Sequence, residues 1–352
     1  MQQRFLAVSV CLVAALSAVR PVAALEKEVL VEKPGAKPEN GWDGILSIGA
    51  SVSFANARGV VGTVDGNSLT LGANITGELN YFKGVNDWRN TAKLIEMFSY
   101  GPPIKKMVKS SDQFVIETIY YYHIPTASWL GPYARVRLDT SLFESADYRA
   151  APTSYQVIER NGTAGTPTRP RTQFKLTDSF APLTLKEGVG MFARPVELEA
   201  AELEFRLGLG STEVFADGIL SLADDPTTPW VEVKKLASYQ QVGGEVAVVL
   251  QGLLASKKVS YKAYAEAMTP FARSKESGDH RSGWKMTNFE AGAKISFKLV
   301  AWASLDYELK VLRLPQLLDV FQIQNNLLLT FKYVYTPPQP PAPAPAPAAP
   351  AK

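Results

Sequence analysis

Leu69-Thr70-Leu71-Gly72-Ala73-Asn74-Ile75-Thr76-Gly77-Glu78-Leu79-Asn80-Tyr81 is the stretch that decides the fold. Its odd positions carry Leu69, Leu71, Ala73, Ile75, Leu79 and Tyr81. Its even positions carry Thr70, Gly72, Asn74, Thr76, Glu78 and Asn80. A strand sends successive side chains to opposite faces, so this period of two gives one apolar and one wet face and fits no helix. The same alternation returns in Ala134, Val136 and Leu138 against Arg135, Arg137 and Asp139. It returns again in Leu203, Phe205 and Leu207 against Glu202, Glu204 and Arg206. Near the C-terminus Phe289 to Phe297 alternates with Glu290, Lys294 and Lys298, and Leu305 to Val311 alternates with Asp306, Glu308 and Lys310.

About twelve such segments are expected, at 42–56, 67–83, 87–100, 112–124, 128–145, 172–194, 200–221, 239–256, 258–272, 284–298, 300–313 and 324–335. The segment from Trp88 to Tyr100 is the weakest, because Glu96 falls among apolar positions; a partly helical conformation stays open there.

Alternation leaves open which face meets solvent, since a soluble sandwich or small barrel shows the same period. Three features select an inside-out barrel. Connections alternate between short (84–86, 125–127, 195–199, 257, 299) and long and polar (57–66, 101–111, 146–171, 223–237, 273–283, 314–323), the habit of outer-membrane barrels with tight periplasmic turns. Charges of both signs occur in mid-strand, as a polar lumen requires. Aromatic residues sit at strand ends where interfacial girdles belong: Trp88, Tyr120 and Tyr122, and the closing Phe331, Tyr333 and Tyr335. The expected fold is therefore all-β, a single closed antiparallel transmembrane β-barrel of about 12 strands in a bacterial outer membrane. Unpaired backbone in hydrocarbon costs several kcal/mol, so the first and last strands should pair.

The ends of the chain read differently. Residues 1–24 have the form of a signal peptide: Arg4, an apolar run from Phe5 to Val19, and small residues at Val22, Ala23 and Ala24. Its removal would take away Arg4, Arg20 and Cys11, the one cysteine. Val10 before Cys11 argues against a lipoprotein. Residues 25–41 read as a periplasmic linker, 42–335 as the barrel, and 336–352 as a Pro/Ala-rich periplasmic tail in polyproline II form. Outer-membrane lipid is the expected partner, with peptidoglycan or a periplasmic protein as candidates for the tail.

Composition narrows function. With 37 basic against 34 acidic residues, the chain lacks the positive excess that nucleic acid demands. One cysteine leaves no thiolate metal site or disulfide framework. No metal site, cofactor or catalytic residue is expected. His280-Arg281-Ser282 has the His and Ser two apart, as in outer-membrane phospholipases, but it falls in a polar loop without an Asn placed to orient the imidazole. His123 reads as an interfacial polar residue, and Gly208-Leu209-Gly210 lies within a strand rather than a phosphate loop. Asp224-Asp225 offers too few oxygens for calcium.

The candidate functional residues are the inward charges: Arg135, Arg137, Asp139, Glu202, Glu204, Arg206, Glu290, Lys294, Lys298, Asp306, Glu308 and Lys310. Glu78, Glu117, Glu245, Glu266, Lys262 and Lys332 share that parity. Near balance of sign points to cross-strand ion pairs filling a narrow lumen, whereas a selective pore would show one dominant sign. Two roles stay open: passage of small solutes through a narrow charged lumen, or an envelope scaffold with a periplasmic tail. An outer-membrane hydrolase is a weaker third.

Trp42-Asp43-Gly44, Leu79-Asn80-Tyr81, Trp88-Arg89-Asn90, Tyr100-Gly101 and Ser111-Asp112 together resemble an uncharacterised bacterial family of outer-membrane β-barrel proteins, a domain of unknown function. The resemblance implies an outer-membrane location and brings no catalytic residue with it.

Overall fold

The computed structural model describes residues 40–57, 66–101, 104–223, 225, 227–274 and 281–335. The expected signal peptide, the expected tail, and the expected linker apart from Asn40 and Gly41 fall outside the described residues, as do His280 and Asp224. In chain order the strands are β1 (Gly41–Ala57), β2 (Gly66–Lys83), β3 (Asn86–Tyr100), β4 (Met107–Tyr122), β5 (Leu130–Thr140), β6 (Ser145–Thr153), β7 (Tyr155–Ile158) and β8 (Arg171–Thr177). They continue with β9 (Leu183–Leu198), β10 (Ala201–Phe215), β11 (Leu220–Leu222), β12 (Val231–Lys235), β13 (Tyr239–Leu254), β14 (Val259–Arg273), β15 (Asn288–Val300), β16 (Ala303–Leu314) and β17 (Leu318–Tyr335).

Twelve of these close into one antiparallel barrel in the order β1-β2-β3-β4-β5-β9-β10-β13-β14-β15-β16-β17, and β17 returns to β1. The closing ladder pairs Leu46 with Tyr335 through Val52 with Leu329, as the cost of a free edge demands. The wall is inverted relative to a soluble protein. Leu207 is 69% exposed and Phe205 45%, while Arg206 between them is 7% exposed. An apolar outside, a charged inside and a closed ladder make this a transmembrane barrel of the outer-membrane type.

Several expectations are corrected. The stretch 172–194 is two strands, because residues 178–182 leave the ladder: Phe180 takes φ 58° and Pro182 has no N–H to donate. The stretch 200–221 breaks likewise at Gly218, whose φ of 81° suits a turn and few other residues. The last outer connection is only residues 315–317, since β17 begins at Leu318 and pairs back to Leu314. Residues 123–129, by contrast, form a longer turn than expected. The segment around Glu96 is a full strand; Glu96 pairs in register with Asp112 on the outer face, near the loop end of the wall. Asp112 there accepts the backbone N–H groups of Leu142 and Phe143, and Lys109 lies 2.6 Å from it.

The long connections 141–182 and 216–238 fold into a cap. β6 pairs with β8, while β12 lies between β11 and β7. Tyr155, Phe174, Val231 and Val233 form its core, with the two rings stacked at 4.2 Å. Arg160 joins the two connections through ion pairing to Asp217 and by donating to the Leu236 carbonyl. A second apolar cluster, Val214, Ala216, Ile219, Leu236 and Tyr239, seats the cap on the rim.

Candidate functional site

The barrel interior is a layered lattice of charges. Arg135 on β5 reaches Glu266 on β14 at 2.5 Å and Glu245 on β13 at 3.3 Å, with Glu117 at 4.0 Å. Lys186 on β9 lies 2.7 Å from Glu290 and 3.3 Å from Glu266. Arg137 pairs with Asp139 at 3.2 Å and with Glu290 at 3.4 Å. Tyr264 donates to Glu290 at 3.0 Å. In the closed order β5 and β14 are four places apart, so these pairs span the interior and do not merely run along the wall.

Six of these groups divide by sign across the lumen, with Asp139 on β5 and Glu117 on β4 standing beside the cations. Arg135, Arg137 and Lys186 stand on β5 and β9; Glu245, Glu266 and Glu290 face them from β13, β14 and β15. Glycine makes room for this. A Cβ at Gly210 would sit 2.6 Å from the Glu245 carboxylate, and one at Gly188 would sit 3.2 Å from it. Two bare backbone positions on neighbouring strands thus let the carboxylate lie against the wall and meet Arg135.

Nearer the short turns is a second layer. Arg194 lies 2.7 Å from Glu204 and 3.4 Å from Asp87, while Arg206 lies 3.4 Å from Glu204. Tyr121 donates to Glu204 at 2.9 Å. The Arg194 guanidinium lies over the rings of Tyr121 and Phe192, 4.3 and 5.1 Å from their centroids. Ile119, Tyr121, Tyr133 and Phe192 form an apolar collar around these charges. His123, past the end of β4, is held by the Ser128 carbonyl at 2.5 Å and lies 3.5 Å from Asp87.

On the β15–β16 side, Lys294 pairs with Glu308 at 2.5 Å, and Lys310 stands 4.0 Å from Glu290. Asp306 is buried opposite Ser296, and Lys298 faces Ser304 close to the turn. Glu202 is buried and accepts from Gln251 at 3.1 Å. Sequence reasoning did not single out Asp87, Arg89, Lys93, Lys186 or Arg194. The signal was present: Trp88 outward fixes Asp87 and Arg89 inward by parity.

The girdle residues Trp88, Tyr120 and Tyr122 face outward near the short turns, where the Trp42 ring lies tilted against those of Tyr81 and Trp88 at 4.9 and 6.0 Å. Tyr333 is exposed outward and Phe331 stacks on Trp302; the Tyr335 and Lys332 side chains lie outside the described residues. Ser282 precedes a single 3-10 turn, Gly283–Met286. Among the described residues no group of three or more His, Cys, Asp or Glu is placed to hold a metal ion.

No family model matches the sequence, and no curated protein matches it. The chain is similar in structure to the translocator domain of the autotransporter NalP from Neisseria meningitidis, at 11% identity over 94% of this chain and 97% of that one, with a TM-score of 0.36. It is similar to an outer membrane channel from Pseudomonas putida F1, at 12% identity over 88% and 100% of the two chains, with a TM-score of 0.38. It is also similar to the outer membrane channel DcaP of Acinetobacter baumannii, at 8% identity over 84% and 96%, with a TM-score of 0.29. Likeness at this level carries no argument about what the chain does.

Proposed function

We propose that this protein admits small charged solutes across a bacterial outer membrane, through a lumen whose aperture is set by ion pairs. One observation carries the reading. Strand side chains meet across the interior: Arg135, Arg137 and Lys186 reach Glu245, Glu266 and Glu290. Long charged side chains can part and re-form pairs while the hydrogen-bonded wall stays fixed. A lumen packed with apolar residues would have no such freedom, and would not wet.

Planar-bilayer recording on the refolded barrel tests this. Discrete conductance steps are expected, with Arg135→Glu or Arg137→Glu changing their size because the introduced carboxylate faces Glu245, Glu266 or Glu290 and repels it. A folded barrel that shows no steps at any voltage or salt concentration ends the reading.

A further inference from the structure

We propose that the layer of the lumen nearest the short turns is a binding site for a small oxyanion, a carboxylate or phosphate group, centred on Arg194 and Arg206. This rests on the reading of a solute-admitting interior and names the chemistry of the solute.

Three observations converge. Arg194 and Arg206 share one carboxylate, Glu204, between them. Arg89, whose guanidinium lies 5.4 Å from the Tyr121 ring, adds a third positive charge beside Asp87. Arg194 and Arg206 between them meet Glu204 and Asp87, with Arg89 as a further cation at Asp87, whereas in the layer above Arg135, Arg137 and Lys186 meet five carboxylates, Glu117, Asp139, Glu245, Glu266 and Glu290. Second, the two arginine side chains are only 4% and 8% exposed. Yet the Arg194 Nη2 and Arg206 Nη1 groups have no hydrogen-bond partner among the described residues, and Arg206 Nε, 3.4 Å from the Glu204 carboxylate, is not hydrogen-bonded to it. Arg135 Nε, further up the same side, is in the same condition. A guanidinium has five N–H donors and no acceptor, so only an acceptor can satisfy these groups, and a charged one does so best. Third, the surroundings are dry and aromatic. Tyr121, Phe192 and Tyr133 flank the guanidinium planes, which lowers the local dielectric and strengthens each charge-assisted bond.

Glu204 acts in this scheme as the resident occupant. Its carboxylate accepts from Arg194 and from Tyr121, holding the arginines extended into the lumen. An incoming oxyanion uses the donors that Glu204 leaves unmet.

Isothermal titration of the detergent-solubilised barrel with inorganic phosphate, and separately with acetate and chloride, tests the site without requiring conductance. Saturable phosphate or acetate binding is expected, with chloride weaker because it cannot bridge two donors. Arg206→Gln should weaken it at least about tenfold, the loss of one charge-assisted bond. Glu204→Gln should tighten it, because a competing charge is removed. Folding of each variant is checked by the heat-dependent mobility shift of barrels on gels; Arg206→Lys, which keeps the charge, replaces the glutamine variant if that fails to fold. No saturable oxyanion binding by the folded wild type, or equal binding by the Arg206 variants, overturns the proposal. Binding without any conductance would leave the site standing and remove the passage reading. Conductance that favours cations and shows no phosphate binding would do the reverse.

Discussion

The side chains of Arg135 and Glu245, on the β5 and β13 sides of the lumen, are 1% and 3% exposed. Lys294 and Glu308, on β15 and β16, form a closer pair, 2.5 Å against 3.3 Å, yet remain 24% and 20% exposed. The wall is the same sheet in both places. The difference lies in what fills the wall: the recess at Gly188 and Gly210 holds the Glu245 carboxylate itself, whereas the recess at Gly292, beside Lys294, is taken by the Tyr264 ring. One side of the lumen is sealed by desolvated charge and the other keeps room for solvent. An ion pair's contribution depends on that distinction more than on its distance.

The comparison breaks most readily at Arg135. Arg135→Ala strands Glu245 and Glu266 without their guanidinium, and a buried pair broken on one side costs about 3–5 kcal/mol. Urea unfolding in micelles should show that loss; a shift below ~1 kcal/mol would mean the sealed side is as wet as the open one. Next comes Gly210→Val, which places carbon where the Glu245 carboxylate lies. Overpacking of this kind costs about 1–3 kcal/mol, and the variant should also show altered conductance because Glu245 is displaced into the lumen. Lys294→Ala or Glu308→Ala should change stability by no more than about 1 kcal/mol, as for other solvent-accessible pairs.

The smallest effect concerns the cap. Asp217 is held below the ordinary carboxylate range by its bond from Arg160, and Glu232 by the Thr228 hydroxyl. Groups depressed in this way stabilise the folded cap above their unfolded pKa, and that contribution disappears as pH falls through the folded value. Acidification below the ordinary carboxylate range should therefore expose residues 141–182 to an acid-active protease while the barrel keeps its heat-dependent gel mobility. Simultaneous loss of both would show that cap and wall are one cooperative unit.

How far the sequence spoke can be judged residue by residue. Parity placed Leu207 outside and Arg206 inside because neighbouring side chains must alternate, and no tertiary effect overrides that within one strand. The closure of β1 on β17 followed from the cost of an unpaired edge. Glu96 was opaque because its strand puts Ile95 and Met97 inward while Glu96 faces out beside Asp112; the loop residues that cover Asp112 are thirty positions away. The cap was invisible for a related reason. Its strands are short, and β7 pairs parallel to β12 across a gap of more than seventy residues, beyond any local pattern. The charge lattice is likewise a matter of which strands face one another. Alternation gave inward direction to Arg135 and Glu266, but only closure brought them together.

Among the described residues the ladder between β1 and β17 joins Leu46–Val52 to Leu329–Tyr335, while β1 and β2 pair from end to end. The cylinder is therefore welded at a single seam, made from the first and last barrel strands to be synthesised. No partial product of synthesis can seal itself. Closure must wait until β17 has been made and delivered to β1.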